Sequence, residues 1–363
     1  MSATATEFAV ERTAQSRIST VDFSNLPFGT LFSDHMLIAE YRDGRWRKPT
    51  IKPYAPLSLP PNISALQYGI SVFEGLKAHR SPSGNILIFR PRDNARRLNR
   101  SSARLAMPAV PDEYFVDGLR ALIALDHQWV PEAENGSLYI RPTYFSVDPS
   151  IRVKPAEEYL FVVFTCPVGA YFNAPLEVLL TDDYVRAFPG GTGDVKPAGN
   201  YAPTLIAEQN ARNAGFHHVG WLDGVERRFI EECGVMNIFF VLGETVVTPP
   251  LSGTILGGMI RDSVITLLRE MKLKVEERGF SVDELFAAHG EGSLTECFGT
   301  GTAATVSHIK RLAYKDREVT LPDIEQRTVG PRVRERLVNI MTGREADPYG
   351  WTEPIRIGGV AHN

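Results

Sequence analysis

Pro189-Gly190-Gly191-Thr192-Gly193-Asp194-Val195-Lys196-Pro197-Ala198-Gly199-Asn200-Tyr201 sets a single lysine inside a run of glycine and proline. Those residues break both helix and strand, so the Lys196 amine sits on an irregular segment. Lysine is scarce here, nine against thirty arginines, and Lys196 is the only one between Lys154 and Lys272. A lysine can lose its proton when desolvated and form an imine; an arginine cannot. The plainer alternative is a solvated loop lysine, and the neighbouring segments decide between the two. A phosphate loop is ruled out, because Val195 precedes the lysine and Pro197 follows it where Gly and Ser/Thr are required. Gly299-Thr300-Gly301-Thr302-Ala303-Ala304 meets only a loose dinucleotide pattern and runs on into Thr305-Val306-Ser307, which reads as strand. There is no HExxH, GxSxG or paired CxxC in the chain.

Four further segments complete a constellation suited to pyridoxal phosphate chemistry. Glu231-Glu232-Cys233-Gly234 leads into Val235-Met236-Asn237-Ile238-Phe239-Phe240-Val241, an apolar run of buried-strand length. A carboxylate at the mouth of such a strand can keep a pyridine nitrogen protonated; only one of the two glutamates need point inward. Thr248-Pro249-Pro250-Leu251-Ser252-Gly253-Thr254-Ile255-Leu256-Gly257-Gly258 feeds a helix that opens at Met259, and a helix start of this kind offers N–H groups to a phosphate. Thr295 to Val306 reads as two strands around a turn of small residues, which can present hydroxyl and amide donors to an anion. Arg90 to Arg100 carries five arginines, of which one turned inward would clamp a phosphate and the rest would form a solvated helix face.

On these segments, and on Tyr68-Gly69-Ile70-Ser71-Val72-Phe73-Glu74-Gly75-Leu76-Lys77-Ala78, the chain resembles the branched-chain amino acid aminotransferases, a class IV family of fold type IV pyridoxal phosphate enzymes. The resemblance runs from about Phe28 to the C-terminal helix. It implies pyridoxal 5′-phosphate as cofactor and amino transfer from leucine, isoleucine or valine to 2-oxoglutarate in two half-reactions. By position it implies that Lys196 carries the cofactor and shuttles the proton, that Tyr201 bonds the phenolic oxygen, and that Glu232 partners the pyridine nitrogen. Gly234 and Met236-Asn237 set that register. Arg97, Thr302 and the amides of Met259 and Ile260 match the phosphate site, and Leu256 the residue packed on the ring. Phe32, Tyr68, Phe73, Tyr139, Arg141 and Tyr171 match the side-chain pocket, some reaching in from the second subunit of a homodimer. The Thr302-Ala303 amides match the carboxylate site, and Arg141 the binder of glutamate's distal carboxylate. Three positions depart from the family pattern: Val235 stands where a small or hydroxyl-bearing residue is frequent, Pro197 follows the lysine, and Gly257 replaces a frequent proline. Related readings stay open on sequence grounds: an aromatic or unusual amino donor, a lyase similar to aminodeoxychorismate lyase, or a cofactor-binding protein without turnover.

A net charge of −4 with scattered arginines gives no electrostatic case for nucleic acid or membrane. Cys166, Cys233 and Cys297 are odd in number and widely spaced, which suits a reducing, cytoplasmic setting without disulfides or a metal cluster. The first nineteen residues hold Glu7 and Glu11 and lack an apolar core, unlike a signal peptide. The expected architecture is α/β (α+β) in two domains. Residues 1–27 form an arm that is flexible or grips a partner, and 28–166 a small α/β domain. A proline-bracketed linker covers 167–175, and 176–363 form a larger pseudo-barrel domain with the cofactor at the junction. Helices are expected over Arg92 to Leu105, Asp112 to Leu125, Pro203 to Asn213, Val282 to Ala288 and Pro331 to Met341, besides the one at Met259.

Overall fold

A computed structural model describes residues 8–134, 136–169 and 174–357. It divides the chain into two compact units, the first made of Met1–Tyr171, Pro197–Gly199 and Asn339–Asn363, the second of Phe172–Lys196 and Asn200–Val338.

In the first unit, hydrogen bonds join the main sheet in the order Ala9–Val10, Thr50–Pro53, His35–Arg42, Tyr159–Val168, Ser137–Ser146, Leu76–Arg80, Ile86–Phe89 and Thr352–Ile355. Every pairing along this path is antiparallel except that of Ala9–Val10 with Thr50–Pro53. Leu37, Phe161, Ile140 and Leu119 are wholly buried and make the core, with the helix Pro91–Arg104 contributing Ala95 and Leu98. That helix opens on a proline and has Asp93 in its first turn and Arg104 in its last, each suited to the helix dipole.

Three expected boundaries differ here. The arm is fastened where it is described: Ala9–Val10 pairs with Thr50–Pro53, the Thr13 N–H donates to His35 Nε2 at 3.0 Å, and the Arg17 N–H donates to Asp34 Oδ1 at 3.0 Å. The C-terminus does not stay with the second unit, because Thr352–Ile355 hydrogen-bonds to Ile86–Phe89. The expected linker at 167–175 begins inside the strand Tyr159–Val168, and residues 170–173 lie outside the described residues.

In the second unit the strands Ile230–Cys233, His218–Leu222, Leu176–Thr181, Thr305–Tyr314, Leu294–Gly301 and Met236–Leu242 pair in that order. The last pairs back to the first, which closes a six-membered ring. Met236–Leu242 is buried along all but its last residue, which is why it reads as an unbroken apolar run and not as an alternating one. Helices Leu205–Asn213, Met259–Glu270, Val282–Gly290 and Gly330–Met341 fall within a few residues of the expected positions. Ser281 caps the third of these by accepting the Glu284 N–H.

Candidate active site

The lysine loop is braced from within. Asn200 donates to the carbonyls of Thr192 (2.7 Å) and Val195 (3.2 Å) and accepts the Thr192 hydroxyl at 2.6 Å. This holds half-buried Lys196 so that its Nζ donates to Tyr201 Oη at 2.8 Å.

Glu232 lies at the heart of the second unit with 3% of its surface exposed. On the neighbouring strand it pairs with Asn237, which pairs in turn with Thr300, so the three side chains share one face. Asn237 Nδ2 donates to Glu232 Oε1 at 3.1 Å and to the Leu256 carbonyl at 2.9 Å. Thr300 Oγ1 is buried with no hydrogen-bond partner among the described residues. Burial pushes the Glu232 carboxyl up to about 7; the Arg186 guanidinium pulls it down, and Glu231 pushes it up further. Arg186 Nε and Glu232 approach as an ion pair without the alignment of a hydrogen bond.

Glu231 is not a surface residue either: only one of the pair need be inward, and both are buried. It is 7% exposed, accepts the Thr254 hydroxyl at 2.5 Å, and has its carboxyl raised by burial. Alternation along a strand sends neighbouring side chains to opposite faces, and here both faces are covered.

The helix Met259–Glu270 starts after Gly258, whose position offers no side-chain cap to the first N–H groups. A Cβ on Gly258 would lie 2.2 Å from Asn237 Oδ1, so only glycine fits there. Ile260 is buried, and Met259 and Leu256 are half-buried. Thr302 and Ala303 occupy the turn between Leu294–Gly301 and Thr305–Tyr314, as the sequence suggests.

The remaining candidates belong to the first unit. Arg97 forms a fork with Glu74, Nε to Oε1 and Nη2 to Oε2, both 2.7 Å, and Glu74 is wholly buried. Arg141 lies on Ser137–Ser146, its guanidinium 4.7 Å from the Phe73 ring centroid and its Nη2 3.0 Å from Tyr139 Oη. Its Nε is buried and without a partner among the described residues. Tyr139 packs so closely on Gly75 that a Cβ there would lie 2.2 Å from the tyrosine oxygen. Phe32 stacks on Tyr54 at 5.1 Å and meets Phe164 edge-on at 5.5 Å, while Phe28 meets Tyr139 at 5.0 Å. Tyr68 is instead exposed and donates its hydroxyl to the Ile151 carbonyl. Tyr171 lies outside the described residues.

These positions fit pyridoxal 5′-phosphate. A lysine amine is held beside a phenol, a buried carboxylate is kept in charge contact, a hydroxyl is left unused on the same face, and a helix start lacks a side-chain cap. Among the described residues no cluster of three or more His, Cys, Asp or Glu could hold a metal, and no helix is long and apolar enough to cross a membrane.

Comparison with known proteins agrees with this chemistry. The family model for amino-transferase class IV matches residues 71–312. Branched-chain-amino-acid aminotransferase 2 of Bacillus subtilis (strain 168) is 42% identical over 338 residues, which is 92% of this chain and 93% of that protein. The crystal structure of the branched-chain aminotransferase of Thermoproteus uzoniensis with norvaline superposes with a TM-score of 0.73 at 24% identity, over 89% of this chain and 100% of that one. The branched-chain amino acid aminotransferase from Escherichia coli gives 0.71 at 24% identity, over 89% of this chain and 99% of that one.

Proposed function

The chain belongs to the class IV aminotransferases, and on that premise we propose that it moves the amino group of leucine, isoleucine and valine to 2-oxoglutarate. Pyridoxal 5′-phosphate is the cofactor of this class; when bound it supplies a carbonyl that takes up the amino group and a ring that absorbs electrons. The observation that carries the reading is the gathering of Lys196, Tyr201 and buried Glu232 in one unit of a chain that is 42% identical to a branched-chain aminotransferase.

Lys196 holds the cofactor and moves the proton at its Nζ. The Tyr201 hydroxyl, already in contact with that Nζ, is set to hold the phenolic oxygen. Glu232 would partner the ring nitrogen and Leu256 would pack on the ring. In the second unit the Met259 and Ile260 amides and Thr302 would take the phosphate; in the first, the Arg97 guanidinium is oriented by its fork to Glu74. The Thr302-Ala303 turn receives the substrate carboxylate. Phe32, Phe73 and Tyr139 give an apolar surface for a branched side chain, and Arg141 offers the cation that glutamate's second carboxylate needs there. Leu66, Tyr68 (its hydroxyl on the Ile151 carbonyl), Ile151 and Val153 are exposed apolar side chains that a second copy of the chain would cover in a homodimer. Three free cysteines suit a reducing cytoplasm.

Purified protein given leucine and 2-oxoglutarate should form glutamate and a branched 2-oxo acid, and do so faster than with aromatic donors. Lys196→Ala should bind cofactor without covalent attachment and lose turnover by about three orders of magnitude or more. Near-normal amino transfer by that variant would overturn the assignment, and product release with no 2-oxo acid acceptor would point to a lyase.

A further inference from the structure

Arg186 ties three stretches of the second unit together. Its Nη2 donates to the Gly193 carbonyl at 3.2 Å and to the Thr254 carbonyl, and its Nε stands against the Glu232 carboxylate. Gly193 is three residues before Lys196, and Thr254 lies in the turn before the Met259–Glu270 helix. The Arg186 side chain is 9% exposed and that of Glu232 5%. A guanidinium carries five donors and no acceptor and keeps its charge in any protein interior, so burying it demands both carbonyls and an anion. Here the anion is Glu232.

We propose that Arg186 is a positioning residue for Glu232: it holds the carboxylate in charge contact and favours its ionised form, so that Glu232 can accept the N–H of a protonated ring nitrogen. The inference rests on Glu232 being the ring-nitrogen partner. The groups acting on Glu232 are the cations Arg186 and Lys196, the anion Glu231, the Leu256 N–H and the Asn237 amide. Asn237 is neutral, Glu231 works against ionisation, and Arg186 is the larger of the two cationic influences. Without Arg186, burial would shift the carboxyl further toward its protonated form, and a protonated carboxyl offers the ring nitrogen a donor where it needs an acceptor.

Arg186 could instead serve only as a tie between the Gly193 and Thr254 carbonyls, and two substitutions separate the possibilities. Arg186→Lys keeps the charge and loses the fork, whereas Arg186→Gln keeps a donor and loses the charge. The readout is the infrared carboxyl band of the cofactor-free protein across a pH titration, assigned by its loss in Glu232→Gln. The midpoint of the unaltered chain should lie at about 7. In Arg186→Gln it should rise by about 1–3 units, and in Arg186→Lys by less than about half a unit. An unmoved midpoint in Arg186→Gln, or equal rises in both variants, would overturn the proposal. Should Arg186→Gln fail to fold, Arg186→Lys decides alone: a rise of about one unit or more rejects a charge role, and a smaller one upholds it. Failure of the underlying reading is visible separately, as Glu232→Gln protein that binds pyridoxal phosphate and transfers amino groups like the unaltered chain.

Discussion

Arg141 combines features that rarely occur together, a guanidinium packed on the Phe73 ring and a buried Nε without a partner among the described residues. Such a group is stabilised by the ring face and still has a donor to give. If that donor serves glutamate's second carboxylate, Arg141→Leu removes one charge-assisted contact, worth about 1.5–3 kcal/mol. The half-reaction with glutamate should then slow about ten- to a hundredfold, while that with leucine changes much less. Stopped-flow measurement of each half-reaction checks this, and equal losses would make Arg141 a support of the sheet. At this scale the sequence was informative wherever a residue type is itself restrictive. Lys196 stands alone in a glycine-rich loop, and Glu232 stands at the head of an apolar strand. Glu74, Arg186, Asn200 and Thr300 carry no role legible in the sequence because their roles depend on partners. Glu74 meets Arg97 twenty-three positions on, and Arg186 meets Thr254 sixty-eight positions on. Arg186 was visible only as one more arginine, in Tyr184-Val185-Arg186-Ala187 just ahead of the lysine loop.

The lysine loop, taken as an element, depends on a close approach of two backbones. A Cβ on Gly193 would lie 2.3 Å from the Thr254 carbonyl oxygen and 2.5 Å from Ala187 Cβ. Neither is the end of a flexible chain, so the backbone would have to move. That movement would also disturb the two carbonyls that share Arg186. Gly193→Ala should therefore cost about 1–3 kcal/mol of stability by denaturant unfolding and weaken pyridoxal phosphate binding in the same variant. Gly199→Ala is the control: it has the same chemistry in the same loop, with nothing within 4 Å of the added methyl. Equal effects of the two would show that glycine matters here for flexibility and not for space. The helices were legible because their apolar spacing and end residues are local signals, as with the proline and Asp93 that open Pro91–Arg104. The closed ring is legible only through the resemblance, as a pseudo-barrel, since its order joins Leu176–Thr181 to Thr305–Tyr314 across more than a hundred residues. The strand Thr352–Ile355 was missed. It is four residues long and includes Pro354, a composition tolerated because this strand is the edge of its sheet.

Across the whole molecule, the buried ionisable groups set how stability should vary with pH. In the first unit, burial and the Lys77 charge push His79 down to about 3; in the second, burial with Arg327 and Arg334 pushes His308 down to about 4. Unfolded chains take up those protons near the ordinary value of 6.5. Below that pH the unfolded state binds more protons than the folded one, so the stability these residues contribute is present above 6.5 and lost as pH falls toward their folded values. Glu232 acts in the opposite sense. Burial raises its carboxyl from 4.5 to about 7, so the folded chain holds an extra proton between those values and loses stability as pH rises through them. Between 4.5 and 6.5 Glu232 offsets only one of the two histidine protons, and below 4.5 the histidines are joined by carboxylates held low by their partners, such as Asp34, Asp182 and Asp223. The cofactor-free protein should consequently lose stability gently as pH falls through the upper window, and steeply in the lower one. Because the chain has two units, a single transition is not assured, and hydrogen exchange read segment by segment is the suitable measurement. His79→Gln should flatten the acid response of Leu76–Arg80 and its neighbours, and His308→Gln that of Thr305–Tyr314, each leaving the other unit unchanged. Acid loss that is the same in both variants as in the unaltered chain would exclude the buried histidines as its source.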